Sequence, residues 1–69
     1  MMTIKLNKIL KEWSEQTGQR KTQQDLANEL NCTLMSLNNW QKGRNNVPFY
    51  IVRHIEKLIN KPHKYFVSI

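Results

Sequence analysis

The segment 22–43 constrains the fold of this chain more than any other part of the sequence. Its apolar residues recur at helical spacing in two short runs, which are separated by Asn31. Asparagine adopts the left-handed backbone conformation of tight turns more readily than most non-glycine residues do. Thr22 with Asp25 approximates a capping box, so the first run should begin as a helix at Gln23. The pattern predicts two consecutive short helices joined by a tight turn.

Further helices are predicted on both sides of this pair. The apolar residues ahead of Gly18 recur at positions i, i+3, i+4 and i+7, with Thr3 in the N-cap position. Pro48 favours the first turn of a fourth helix, because the N–H group that proline lacks is not needed there. Pro62 must stop that helix, since proline cannot continue a helix interior.

The C-terminal residues 62–69 contain several aromatic and β-branched side chains and are expected to form a short strand or an extended tail. The expected architecture is all-α: a single compact four-helix domain over residues 1–69 that ends in this tail. Two roles are open for the tail. It could pair with a copy of itself across a two-fold axis, since an unpaired strand edge invites pairing. Alternatively, its aromatic residues fold back onto the core between the first and fourth helices. The residues expected to contact a second copy in the first case are Tyr65, Phe66, Val67 and Ile69.

Size and charge narrow the class of partner. A chain of 69 residues has room for one modest core, and its single cysteine, Cys32, suits a reducing cytoplasm. The net charge of +6 favours an anionic partner, and no acidic residue lies between Glu29 and Glu56. No apolar run approaches the ~20 residues needed to span a bilayer, and no secretory signal is visible. A cytoplasmic location and no membrane partner are expected.

The sequence holds no pattern typical of catalysis or of a metal centre. No nucleophile, base and orienting residue form a recognisable set, and no glycine-rich phosphate loop is present. His54, His63 and Cys32 match no zinc spacing. We therefore expect neither enzyme activity nor a cofactor nor a metal.

The helix predicted over residues 33–42 separates its side chains into two groups when successive residues are placed about 100° apart. Thr33, Leu37, Trp40 and Gln41 fall on the side that can face the core. Met35, Asn38, Asn39 and Lys42 fall on the opposite side, with Leu34 on the flank. Asparagine is a poor helix former, so an outward pair of asparagines suggests a role other than stability, although a plain solvated face is the alternative.

This outward side suits the major groove of DNA. Asparagine can pair with two atoms of the adenine edge, and an apolar side chain can contact the thymine methyl group. Lysine or arginine can reach guanine or a phosphate, and the start of a helix also favours a phosphate. The residues predicted to contact DNA are Thr22, Gln23, Thr33, Leu34, Met35, Asn38, Asn39, Lys42, Arg44 and Asn45.

From Lys8 to Ile59 the chain resembles the lambda-repressor-like helix-turn-helix family, and within it the short Cro-type proteins of phages and mobile elements. The matching positions are Gln23 at the helix start, Ala27 at the helix crossing, Leu37 and Trp40 in the core, and the run Trp40-x-x-Gly43-Arg44. The chain departs from the family in having Asn31 where glycine is common, and Tyr65 to Ile69 where a fifth helix is common.

The resemblance implies a helix-turn-helix over residues 22–43 and a DNA-facing position for most of the predicted contact residues. It implies a transcriptional regulator, a Cro-like repressor that binds a pseudo-palindromic DNA operator as a homodimer, with helix 33–42 in the major groove. The alternative interpretation is an antitoxin or another interaction module that uses the same fold to dock a protein partner.

Overall fold

The two ends of the chain pair with each other. In the computed structural model, which describes residues 2–68, Thr3 lies opposite Ser68 and Ile4 opposite Val67 in a two-stranded antiparallel sheet. The Lys5 amide extends this link by donating to the Phe66 carbonyl over 2.8 Å. Val67 and Ser68 of the tail therefore form a strand, and its partner within the described residues is the N-terminal segment.

Four α-helices lie between these strands, with one short 3-10 helix ahead of the second strand. In chain order the elements are β1 (Thr3–Ile4), α1 (Leu6–Thr17), α2 (Gln23–Leu30), α3 (Leu34–Lys42), α4 (Phe49–Ile59), the 3-10 helix (His63–Tyr65) and β2 (Val67–Ser68). The described residues thus form a mostly helical domain with the four expected helices, and the tail strand pairs in a small sheet that the all-α expectation did not include.

The local signals in segment 22–43 are confirmed. Helix α2 begins at Gln23, and Thr22 and Asp25 form both hydrogen bonds of a capping box. Asn31 has a φ of 56°, in the left-handed region. Thr33 caps α3 by accepting a hydrogen bond from the Ser36 amide over 3.1 Å. These contacts are local in sequence, which is why a sequence pattern can predict them.

Three predicted helix ends are corrected. Thr3 lies in β1, and the N-cap of α1 is Lys5, whose side chain makes no capping hydrogen bond. Pro48 occupies the N-cap of α4 instead of its first turn. Helix α4 ends at Ile59 because Asn60 turns left-handed, with a φ of 53°, so Pro62 does not itself stop the helix.

One hydrophobic cluster connects all of these elements. It includes Ile4 from β1, Ile9 from α1, Leu26 from α2, Leu37 from α3 and Ile55 from α4, each at most 2% exposed. Full burial of each such side chain contributes about 1.5–3 kcal/mol. Each helix therefore depends on the others for the burial of its apolar side.

The tail packs into this cluster, which is the second of the two roles expected for it. Phe66 is fully buried, and Val67 is 9% exposed. Tyr65 is half-buried, and its hydroxyl donates to Oε1 of Glu12 on α1 over 3.1 Å. The Lys8 and Lys61 ammonium groups lie 5.1 Å and 5.4 Å from the centre of its ring.

The burial of the tail also affects the predicted contact with a second copy of the chain. Phe66 and Val67 pack inside their own chain, so their side chains are not exposed to a partner. Ile69 lies outside the described residues. Within residues 2–68, no helix is long and apolar enough to cross a membrane.

Replacing Phe66 with alanine should unfold most of the protein at 25 °C. Large-to-small replacement of a buried phenylalanine costs about 3–5 kcal/mol, which matches the ~3–5 kcal/mol that a core of this size provides. Urea unfolding followed by circular dichroism measures the loss, with Lys64→Ala, an exposed change two residues away, as the matched control. A Phe66→Ala protein as stable as the control would contradict the burial of the tail.

Candidate nucleic-acid interface

The start of α2 is held by the reciprocal hydrogen bonds of its capping box. The Thr22 hydroxyl accepts from the Asp25 amide over 3.2 Å, and Oδ2 of Asp25 accepts from the Thr22 amide over 2.9 Å. The backbone and side-chain hydrogen bonds from Thr22 hold the pKa of Asp25 below its ordinary value. The two bonds occupy two amides of the first turn, and the ionised carboxylate offsets part of the positive end of the helix dipole. The exposed side chain of Gln23 is a further polar group at this end of α2.

The turn between α2 and α3 is closed by backbone hydrogen bonds. The Asn31 amide donates to the Asn28 carbonyl over 3.2 Å, and the Cys32 amide donates to the Ala27 carbonyl over 2.9 Å. Because these bonds fix the turn, they also fix the direction in which α3 leaves it. Burial raises the pKa of the half-buried Cys32 thiol.

The inner side of α3 is anchored by Leu37 and Trp40. Leu37 is fully buried and Trp40 is 8% exposed, in the same cluster as the fully buried Ala27 of α2. The small Ala27 side chain lets the two helices approach closely. These contacts determine which side of α3 is left in solvent.

The outer side of α3 is apolar near its start and polar beyond it. Met35 is 73% exposed and Leu34 is 41% exposed, which are high values for apolar side chains. Asn38 and Lys42 are also exposed, one and two turns further along the same side. The helix therefore presents two apolar groups, an amide and a cation along one face.

Two residues of α3 differ from the predicted arrangement. Gln41, which the helical wheel assigns to the inner side, is exposed. Asn39 is half-buried, so Asn38 is the more accessible of the two asparagines. The helical wheel gives the exposure of these residues only approximately, because the side facing the core was inferred from four residues and not from the neighbouring helices.

The loop after α3 offers side chains to this surface, and its first two backbone amides are already hydrogen-bonded. The Gly43 and Arg44 amides both donate to the Asn39 carbonyl, and Gly43 has a left-handed φ of 78°. Oδ1 of Asn46 accepts from the Met2 amide over 3.2 Å. The side chains of Arg44 and Asn45 remain exposed.

Most of the ten predicted contact residues are therefore accessible. Nine are exposed and only Asn39 is half-buried; the nine are Thr22, Gln23, Thr33, Leu34, Met35, Asn38, Lys42, Arg44 and Asn45. They lie at the start of α2, on the outer side of α3 and in the following loop. The hydroxyls of Thr22 and Thr33 already accept capping hydrogen bonds. The Thr33 hydroxyl also donates to Oγ of Ser36 over 3.1 Å, so of the two only the Thr22 hydroxyl is left to donate to a further group.

The acidic side chains are mostly engaged away from this surface. The Glu12 carboxylate accepts hydrogen bonds from the side chains of Gln16 and Tyr65. Oε2 of Glu29 lies 3.7 Å from Nε2 of His54. The Glu56 carboxylate accepts a hydrogen bond from the His63 amide. The hydrogen bond from Gln16 is the main cause of the lowered pKa of Glu12. Among the described residues, neither Lys42 nor Arg44 forms an ion pair or lies over an aromatic ring. Both cations are available to an external anion.

Two exposed aromatic residues were missed by the sequence analysis. Phe49 is 66% exposed and Tyr50 is 72% exposed at the start of α4. The available signal was their position outside the apolar spacing of Val52, Ile55 and Ile59, which leaves two large rings on the solvent side of the helix.

No metal-binding cluster is found in the part of the chain that the structure describes: no three His, Cys, Asp or Glu residues come together there. No family model matches the chain, and no curated protein or solved structure is significantly similar to it. The family resemblance inferred from the sequence therefore stays a prediction, and the function is argued from the residues themselves.

The Asp25→Asn variant should lose less stability in acid than the parent protein. Because the pKa of Asp25 is lower in the folded than in the unfolded chain, its contribution is complete above the ordinary aspartate pKa of about 3.9 and is lost as the pH falls through the lower folded value. The free energy of unfolding in urea, measured from pH 7 down to about pH 2, should therefore fall less steeply in the variant. Parallel curves would show that the capping carboxylate does not contribute in this way.

Proposed function

We propose that this protein is a sequence-specific DNA-binding transcriptional regulator that inserts α3 into the major groove. The observation that carries the proposal is the outer side of α3, where exposed Met35, Leu34 and Asn38 are followed by Lys42. An ordinary solvated face would more often carry charged side chains than two apolar groups beside an asparagine, which is a poor helix former. The same set matches the thymine methyl group, the N6 and N7 edge of adenine, and the phosphates along the major groove.

The dimensions of α3 fit this role. An α-helix with its side chains is about 10–12 Å across, and the B-DNA major groove is about 12 Å wide. Leu37 and Trp40 hold the opposite side in the core, so the helix can enter a groove without unfolding its support. We also propose that α2, the Asn31 turn and α3 form a helix-turn-helix of the lambda-repressor-like kind, as the sequence resemblance implies.

The contact residues divide into two classes under this proposal. Met35 and Leu34 contact thymine methyl groups, and Asn38 pairs with an adenine edge, so these residues select the sequence. Arg44 and Lys42 bind phosphates and hold the register, as does Gln23 from the start of α2. Binding involves no chemical step, and a protein placed over a promoter acts as a repressor by occupying it.

Selection of bound duplexes from a random DNA pool tests the proposal. We expect an enriched inverted repeat whose half-sites lie ~34 Å apart, because a symmetric dimer places its two reading helices one turn of DNA apart. Pools recovered with and without the protein should then differ at defined positions. Recovery of no preferred sequence at low salt would contradict sequence-specific binding.

Replacing Asn38 with alanine should weaken binding to the selected site by about 1–3 kcal/mol and leave binding to unrelated DNA almost unchanged. The matched control is Arg44→Ala, which removes a phosphate contact. It should weaken binding to every sequence alike and lower the magnitude of the slope of log K against log salt by about 0.9. Fluorescence anisotropy over a salt series separates the two effects. Equal losses on selected and unrelated DNA would remove Asn38 from the residues that read bases.

A further inference from the structure

An exposed aromatic side chain and a recess lie together on the solvent side of α4. The recess has a volume of about 360 Å³ and is lined by Met2, Phe49, Val52, Arg53, Glu56 and His63. We call this group of six residues the α4 surface. Phe49 is 66% exposed at its edge, and the Arg53 guanidinium carbon lies 5.0 Å from the centre of the Phe49 ring. This stacking limits the positions that the ring can adopt.

We propose that the α4 surface binds a second copy of this chain, with the two α4 helices antiparallel across a two-fold axis. The inference deepens the proposed function and rests on it in one respect, because a pseudo-palindromic site requires a symmetric dimer. Self-association is thus assigned to an exposed surface and not to the tail, whose side chains are buried.

The shape of the α4 surface suits contact between identical copies. A two-fold interface uses the same patch on both subunits, so a protruding group and the recess that receives it must occur on one face. Phe49 and the recess meet this requirement, because the ring lies at the edge of the space that Val52 and Met2 line. Each subunit can then place its ring in the recess of the other.

The charges of the α4 surface are complementary to themselves in the antiparallel arrangement. Arg53 and Glu56 lie three residues apart on α4, so an axis midway between their positions places each Arg53 opposite Glu56 of the partner subunit. At about 1.5 Å per residue, the same register sets Phe49 level with position 60 of the partner subunit, just past the end of its α4 and beside the part of the recess that Glu56 and His63 line. Two copies that each carry a net charge of +6 repel one another, and these paired charges offset that repulsion locally.

Glu56 also makes this surface a poor site for DNA or for an anionic membrane. Its Oε2 accepts from the His63 amide over 2.9 Å, and this hydrogen bond is the main cause of its lowered pKa. As an anion, this side chain repels phosphate groups. A second copy supplies an arginine at the same place.

The test is sedimentation equilibrium of the full chain without DNA, over a concentration series up to about 1 mM. We expect a reversible dimer in the parent protein. Phe49→Glu should raise its dissociation constant at least about tenfold, since it places a charge in the contact without changing a buried residue. The matched control is Met35→Glu, the same kind of change at an exposed residue of α3, which should leave the dimer unchanged. Circular dichroism checks that both variants fold.

Charge reversal tests the antiparallel register. Arg53→Glu should weaken the dimer, because it sets two acidic groups opposite each other in both halves of the interface. Adding Glu56→Arg to the same chain should restore at least part of the association, because the opposed charges again differ in sign. A double variant that associates no better than Arg53→Glu alone would overturn this register.

The remaining outcomes show which partner occupies the α4 surface. A parent protein that stays monomeric throughout the series would overturn the proposal and leave the surface to a different partner. A dimer that Phe49→Glu does not weaken would place self-association elsewhere, and weaker binding of Phe49→Glu to a single half-site duplex would assign the surface to DNA. Because association is measured without DNA, failure of the dimer proposal is distinguishable from failure of the DNA-binding proposal. The DNA-binding proposal is tested separately by the Met35→Glu variant, which should lose affinity for the half-site.

Discussion

The burial of Leu37 and Trp40 is the constraint on which the rest of the structure depends. A helix of nine residues is too short to be stable alone in water, so α3 exists because one side of it is buried in the common cluster. The same burial fixes the rotation of the helix about its axis. Met35 and Asn38 are consequently directed into solvent, and these exposed groups are available for recognition only because the opposite side is occupied.

A chain of 69 residues has few side chains with which to bury α3, and the pairing of the chain ends brings some of them into the core. Phe66 fills space inside the helical cluster, and β1, which β2 holds in place, packs against α3. Most acidic side chains are used in internal contacts, such as the cap at Asp25 and the bond between Glu56 and His63. The exposed cations near α3 are therefore not neutralised by neighbouring carboxylates.

Features that depend on near neighbours in sequence could be predicted, and features that depend on distant pairing could not. The cap at Thr22, the left-handed Asn31 and the end of α3 follow from residues within one or two turns. The pairing of β1 with β2 joins segments more than sixty residues apart, and two-residue strands carry no periodicity that a pattern could detect. The exposure of Phe49 and the partial burial of Asn39 likewise depend on which neighbouring elements cover each side of a helix.

The connection between α3 and α4 links the two proposals physically. Residues 43–48 alone separate these helices, and six extended residues span at most ~20–22 Å. Half-sites ~34 Å apart require each reading helix to lie ~17 Å from the two-fold axis, a distance that fits within a protomer of 32 × 23 × 18 Å. A dimer contact on α4 therefore fixes the position of α3 relative to the axis through a short connection anchored at both ends. Under these two proposals, self-association through this surface sets the spacing of the DNA sequence that the protein recognises.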